Sequence, residues 1–514
     1  MDITNEPTTV RAGRREWLGL AVLALPILLI SVDFSVLNLA LPKLASDLAP
    51  NSSQQLWILD IYGFMIAGFL ITMGTLGDRI GRRRLMLCGA AAFGACSVLA
   101  AYAASPGMLI TARALMGVAG ATLAPSGLAL IGTMFADPKQ RAAAVAAFTS
   151  CFMGGAIIGP IAGGVLLAHF WWGSVFLLAV PVMLLLLIAG PLLLPEYRNP
   201  DAGRLDILSV ALSLAAILPT VYGITELSRN THQPLAWASV ALGALVFGAF
   251  VLRQRTLQQP LLELRLFSNR IFRGAFTLSL LVGAVQGGSI LMINLYLQTV
   301  LGYSTLRAGL WMVPPAVAML LTIGLGPALA RTIRPAYITA AGLTVAALGY
   351  ALITQVNTTT GLPALIIGFA IAMAGIGPGL ALGYDLVLGA APAEMAGSAS
   401  ATAETGGQFG VAAGVAVLGS IGAAVYRAHM PAPMALPPIP AGQAHESIAG
   451  AITVAHDVPP TLRYEVLESA RTAFTTGLHT VAAIGAVVFI ALAALAIVEL
   501  RQALPSNKIQ PDNT

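Results

Sequence analysis

The chain reads as a succession of long apolar runs separated by short polar connections. A helix of about 20 apolar residues crosses a bilayer core, and backbone polar groups in lipid must be satisfied within the segment, so each long run predicts one transmembrane helix. The runs fall near 17–41, 55–76, 85–104, 108–132, 142–167, 172–194, 206–226, 235–252, 271–298, 306–329, 336–354, 362–386, 397–425 and 473–499. The pattern therefore predicts an all-α polytopic membrane protein with fourteen spans. The first run is no cleavable signal peptide, because it is too long for such a core, lacks a small-residue exit and contains Asp33.

Two connections break the rhythm. Residues 253–270 mix Arg with Leu and read as a short amphipathic segment on the membrane surface, where anionic lipid attracts Arg. Residues 427–472 form a long loop that opens rich in Pro and Ala and closes with a helix-like stretch, PTLRYEVLESARTAF, in which Leu462, Val466 and Ala470 share a face. It reads either as a lid or partner surface, or as an ordered hairpin without mechanistic weight.

Composition excludes the soluble alternatives. Of the 514 residues, 10% are charged and 57% hydrophobic, where soluble chains carry about 25% charged residues. The net charge of +5 has to be read by position before it suggests nucleic acid. Of the 27 Lys and Arg, 20 fall in connections on one side of a fourteen-span topology and 6 on the other, while Arg113 lies inside the fourth run. By the positive-inside rule the richer side is cytoplasmic and both termini lie there. Cys88, Cys96 and Cys151 sit in apolar runs without metal-ligand spacing and read as packing residues. The six histidines are scattered on or near the outer side, so no metal site is expected.

An ionisable group at mid-bilayer costs about 2.5–3.5 kcal/mol to insert, which makes each one a functional suspect. Asp33 in the first span, Asp60 in the second, Arg113 in the fourth, Asp385 in the twelfth and Glu404 in the thirteenth are the clear cases. Asp33 lies too deep to reach an interface and needs a partner or a proton. Desolvation and a nearby cation push its ionisation in opposite directions, so it could exchange a proton for a cationic ligand. The competing reading is a permanent Asp33–Arg113 ion pair that only fixes helix packing. Asp60, about one turn from the outer end of its run, is either a carboxylate at the outer mouth or a solvated helix-end acid. Glu404, among small residues that let helices approach, reads as a cavity-facing acid. Asp385, near an inner end, reads as making local contacts.

Two motifs have a clear physical sense. GTLGDRIGRRR, Gly74 to Arg84, combines glycines for a tight turn, an acid able to meet a helix N-terminus, and arginines that hold the loop at the cytoplasmic face. In GGAIIGPIAGG, Gly155 and Gly159 lie four apart for close backbone contact, and Pro160 removes a helix hydrogen bond. Together these residues resemble the major facilitator superfamily over nearly the whole chain. Gly74, Asp78, Arg79, Gly81 and Arg82 match its cytoplasmic loop motif. Arg113 with Gly117 matches its fourth-helix motif, although Met116 stands where many members have Gln. Gly155, Gly159, Pro160, Gly163 and Gly164 match the fifth-helix motif that marks antiporters. Asp33, Asn38, Ala40 and Pro42 match the first-helix pattern of the fourteen-helix drug:proton antiporters, and LWILDIYG with Asp60, together with Glu404, is most similar to exporters of quaternary ammonium compounds, methyl viologen and mycobacterial drugs.

The resemblance implies a major facilitator fold in a 6+2+6 arrangement: a first six-helix bundle over 1–194, two inserted helices and a linker over 195–270, and a second bundle over 271–514. It implies a monomer in the bacterial inner membrane, driven by the proton gradient without a cofactor, in which Asp33 and Glu404 couple protons to the efflux of lipophilic organic cations and Arg113 adjusts Asp33. Phe34, Trp57, Tyr62, Met292 and Trp311 are candidate cavity residues, with ordinary packing or lipid-facing roles open for each. The tenth span carries no acid, and Gln408 stands one turn beyond Glu404 where broad-range relatives have another acid, so divalent cations are expected to be poor substrates. The alternatives are a narrow exporter of one metabolite or antibiotic on the same fold and, against the glycine-rich fifth helix, an uptake symporter. An enzyme is not expected: there is no HExxH, Ser/His pair or phosphate-binding loop.

Overall fold

The computed structural model describes residues 12–198, 206–229, 233–257, 260, 263–390, 396–431 and 438–501. Every regular element among them is helical. The α-helices in chain order are α1 (Arg14–Leu48), α2 (Ser52–Ile80), α3 (Arg82–Ala101), α4 (Pro106–Gly120), α5 (Leu123–Met134), α6 (Pro138–His169), α7 (Ser174–Leu177), α8 (Ala179–Leu193), α9 (Ile207–Arg229) and α10 (Pro234–Thr256). They continue with α11 (Arg270–Leu295), α12 (Thr305–Ile323), α13 (Leu325–Leu329), α14 (Pro335–Ile353), α15 (Leu362–Ala390), α16 (Ala396–His429), α17 (Pro438–Glu446), α18 (Ile448–His456) and α19 (Pro460–Leu500).

Proline chemistry explains where expected spans are broken. The fourth run divides into α4 and α5 because Pro125, in the first turn of α5, has no N–H to offer the carbonyl of Ala121. The tenth run divides likewise into α12 and α13, with Pro314 and Pro315 inside the former and Pro327 in the latter. The described residues contain 12 helices long and apolar enough to span a membrane, or up to 13 if the bent pair Ser53–Leu70 and Thr72–Ile80 is one span. The fifth expected run lies in α6, which holds two shorter apolar stretches, Ala143–Phe152 and Ile158–His169.

Two expectations for the connections change. The stretch PTLRYEVLESARTAF is not a separate loop helix but the first third of α19, and α16 runs on to His429, so the expected loop 427–472 is largely helical. Val466 and Ala470 are buried along that shared face and Leu462 is half-buried. Within 253–270, α10 continues to Thr256, and a 3-10 turn at Leu264–Ser268 tucks Leu266 into a cluster with Phe272, Val387 and Ala399. That turn therefore packs on protein through Leu266 instead of lying freely on a surface.

Small residues position the helices. Gly155 lets α6 approach α1 so closely that a Cβ there would lie 2.5 Å from the Leu28 carbonyl oxygen, and a Cβ on Gly163 would meet Val36. Helices α9 and α10 pair through Gly223 and Gly243. Helix α9 then packs against both α2 and α16, in an apolar cluster with Phe64, Val221, Phe409, Ala412 and Ala416.

The helices before α9 and those after α10 touch through α2 with α16, α6 with α12, and α1 with α11, α12 and α18. These approaches run from Phe64 and Phe409, rings 5.9 Å apart near mid-helix, toward the end of the molecule that carries the α1–α2 turn. There a Cβ on Gly419 would sit 2.9 Å from Leu56, one on Gly164 would sit 2.6 Å from the Leu306 Cα, and one on Gly309 would run into the Pro160 carbonyl.

Candidate functional site

Four helices build a charged centre inside the first group. Helix α1 supplies Asp33, α4 supplies Arg113, α2 supplies Tyr62 and the Ile58 carbonyl, and α7 supplies Phe176. Gly117, one turn beyond Arg113, allows the assembly, since a Cβ there would lie 2.6 Å from both the Tyr62 carbonyl oxygen and the Met65 side chain. With α4 held that close to α2, the Arg113 guanidinium reaches three partners. Its Nη1 donates to Asp33 Oδ2 at 2.5 Å, its Nε donates to the Ile58 carbonyl at 3.2 Å, and its Cζ lies 4.5 Å from the centre of the Tyr62 ring. The Phe176 ring stands 5.9 Å away and Phe93 meets Tyr62 edge-on at 6.3 Å. Arg113 is 1% exposed. A cation so enclosed is tolerable only because a carboxylate, a carbonyl and an aromatic face replace its water.

Asp60 lies two turns into α2 and is 2% exposed, not a solvated helix-end acid. Both of its carboxylate oxygens are buried without a hydrogen-bond partner among the described residues. It lies two residues from Ile58 and from Tyr62, so the second acid and the Arg113 site share one helical turn. Glu404 sits in the other group, half-buried on α16, where Gln408 Nε2 donates to its Oε1 at 3.0 Å. The residue that departs from the family pattern thus acts as a local partner of Glu404. The side chains of Asp385 and Phe34 lie outside the described residues.

The cavity candidates scatter. Tyr62 is fully buried beneath Arg113, and Met292 is packed against α16 at Gly422, so neither faces open space here. Trp57 is half-buried beside the α2–α9–α16 cluster, and Trp311 is half-buried against the main core.

The loop motif makes a second polar centre at the opposite end from the α1–α2 turn. Gly81 adopts φ +111°, a conformation that favours glycine, and links α2 to α3. Asp78 accepts from Arg82 Nε at 2.8 Å and Nη2 at 2.7 Å across that turn, while a Cβ on Gly74 would lie 3.8 Å from Pro125. Arg79 is exposed. The segment after α8 docks on this turn. The Arg82 amide donates to the Tyr197 carbonyl at 3.0 Å, the Arg83 amide donates to Glu196 Oε1 at 3.1 Å, and Arg83 Nη1 donates to the Leu194 carbonyl at 2.9 Å. Glu196 escaped sequence reasoning. The available signal was an acid directly after the sixth run, two residues before Arg198, facing an arginine-rich turn. Gly159 and Pro160 are buried in α6, and the Pro160 carbonyl abuts Gly309, a partner that no motif marked.

Comparison with known proteins accords with this architecture. Residues 23–415 match the family profile of the Major Facilitator Superfamily. The multidrug efflux pump LfrA of Mycolicibacterium smegmatis is 40% identical over 97% of this chain and 99% of its own. The methyl viologen resistance protein SmvA of Salmonella typhimurium is 31% identical over 91% of this chain and 94% of its own. Among solved structures, a bacterial homologue of the human lysosomal transporter Spinster, in an inward-facing and unoccupied conformation, superposes with a TM-score of 0.67 at 15% identity, covering 96% of this chain and 98% of that one. Helical architecture, family profile and full-length relatives agree: the chain belongs to the Major Facilitator Superfamily, among its multidrug and antibiotic efflux transporters.

Proposed function

We propose that this transporter expels lipophilic organic cations in exchange for protons across the bacterial inner membrane, as a monomer with fourteen spans in a 6+2+6 arrangement and with both termini in the cytoplasm. The observation that carries the reading is the buried centre in which Asp33 is held 2.5 Å from Arg113, with a second enclosed acid, Asp60, within a turn of the Arg113 partners on α2. Relatives named for multidrug efflux and methyl viologen resistance support a cationic substrate class. With the α1–α2 turn outside, as the arginine distribution predicts, the two helix groups meet on the outer side, the arrangement of a carrier facing inward.

In this reading a cation entering from the cytoplasm competes with Arg113 for carboxylate charge and displaces a proton from Asp33 or Glu404. After reorientation, protonation from outside neutralises the acid, weakens the hold on the cation and releases it. The return step carries the proton inward. Only a difference in affinity between the two states can drive the exchange, and charge neutralisation in a low-dielectric site supplies it. The test is ethidium efflux from energised cells expressing wild type, Asp33→Asn or Glu404→Gln at matched levels. Loss of uncoupler-sensitive efflux in both variants is expected, and full retention in both would overturn the coupling assignment. Efflux of one compound, without the monocationic dyes, would instead favour a narrow exporter on the same fold.

A further inference from the structure

The inner ends of α11, α14 and α19 gather charge that the transport site does not use. Arg270 Nε lies 3.4 Å and Arg273 Nη2 3.0 Å from Glu499 Oε2 near the end of α19. Two residues further on, the Arg501 carbonyl accepts from Arg334 Nη1 at 3.5 Å. Four arginines therefore lie at these adjoining helix ends, two of them paired with the single carboxylate, a formal +3 among the described residues. These contacts leave the arginines accessible: Arg273, Arg334 and Arg501 are exposed, and Arg270 retains 42% exposure of its side chain. Directly beside them the surface turns apolar, with Tyr337 at 53%, Val498 at 51% and Ile497 at 44% exposure. A fixed cluster of guanidinium groups over an apolar, tyrosine-edged flank has the two halves of one complement: phosphate oxygens above and acyl chain below.

We propose that this junction of α11, α14 and α19 is a binding site for an anionic phospholipid, with the doubly charged headgroup of cardiolipin the best match to its charge. Phosphate oxygens accept from Arg334 and Arg501 and from the outer faces of Arg270 and Arg273, while the chains lie along the exposed flank of α14 and α19. Glu499 orients the first two arginines and opposes the headgroup at the same time. That dual role gives the test its sign.

The full chain, purified in a non-ionic detergent, is titrated with cardiolipin, phosphatidylglycerol, phosphatidylethanolamine or inorganic pyrophosphate, and retained lipid is read by native mass spectrometry. Detergent makes the result independent of which leaflet the site faces. Cardiolipin is expected to bind more tightly than phosphatidylglycerol, and phosphatidylethanolamine least. Near a membrane surface each Arg contributes roughly a fivefold factor, so Arg334→Gln with Arg501→Gln should weaken cardiolipin by about 25-fold. Glu499→Gln should tighten it by about fivefold, opposite to the effect of merely loosening the helix ends. The Arg334 and Arg501 variants leave both Glu499 pairs intact, so they decide the matter even if Glu499→Gln folds poorly. Equal retention of phosphatidylethanolamine, unchanged cardiolipin binding in the double variant, or displacement of the lipid by equimolar pyrophosphate would overturn the site.

Discussion

Arg113 and Asp33 are eighty positions apart in sequence and 2.5 Å apart in space, with the arginine side chain 1% and the aspartate side chain 9% exposed. Removing one partner of such a pair leaves an uncompensated buried charge and costs about 3–5 kcal/mol, whereas removing both costs far less. Asp33→Asn and Arg113→Gln should each lower the apparent melting temperature of the purified transporter, and the double variant should recover most of the loss. Additive losses in the double variant would show that the pair is not coupled in solution.

Asp60 presents the opposite case, an enclosed carboxylate whose oxygens have no hydrogen-bond partner among the described residues. Asparagine keeps its shape without a charge to bury. Asp60→Asn should therefore preserve the melting temperature to within a degree or two while changing the pH dependence of efflux. A large fall in thermal stability would mean that the acid is a structural anchor.

Gly81 carries two constraints at once. Its φ of +111° is unfavourable for any other residue, and a Cβ there would collide with the Glu196 carboxylate. Gly81→Ala should lose about 1–3 kcal/mol from backbone strain and release the segment at 194–198 from the α2–α3 turn. Glu196→Ala alone, which removes the acceptor of the Arg83 amide without straining Gly81, should release the same segment less completely, as read by protease access to the turn.

The contact between α6 and α12 leaves no room at Gly309, where a Cβ would run into the Pro160 carbonyl, a backbone atom that cannot swing aside. Gly309→Leu should wedge the two helix groups apart at the α1–α2 end. Amide hydrogen exchange at 156–168 of α6 and 305–313 of α12, read on the purified protein, should speed up by tenfold or more in Gly309→Leu. Equal rates would show that the contact yields without separation.

At the other end, Asp206 precedes α9 just outside its apolar stretch and ties α9 to α10. Burial works against its ionisation, but hydrogen bonds from Arg253 and Ser209 outweigh that effect and hold its carboxyl below the usual range. A carboxyl depressed in the folded state stabilises the fold above its unfolded value and loses that contribution as pH falls through the folded value. Amide protection in the first turn of α9 should accordingly persist at pH 5 and decline below about pH 4. Asp206→Asn should abolish the pH dependence.

Much of this was legible in one dimension. Length and spacing of apolar runs determine where helices cross lipid, because the bilayer permits few other backbones, and scarcity of charge inside those runs points straight at Asp33, Asp60, Arg113 and Glu404. Glycine spacing in α6 likewise announces a close helix contact. What those residues touch was decided only by the tertiary structure. Whether Arg113 meets Asp33, whether Tyr62 lines a cavity or lies beneath a guanidinium, and that Gly309 and Glu196 are the partners of motifs far away in the chain all depend on which helices become neighbours. Adjacency arises from packing between segments of nearly uniform hydrophobicity, where small residues and a few polar contacts choose the partner, and hydropathy along the chain carries no record of that choice.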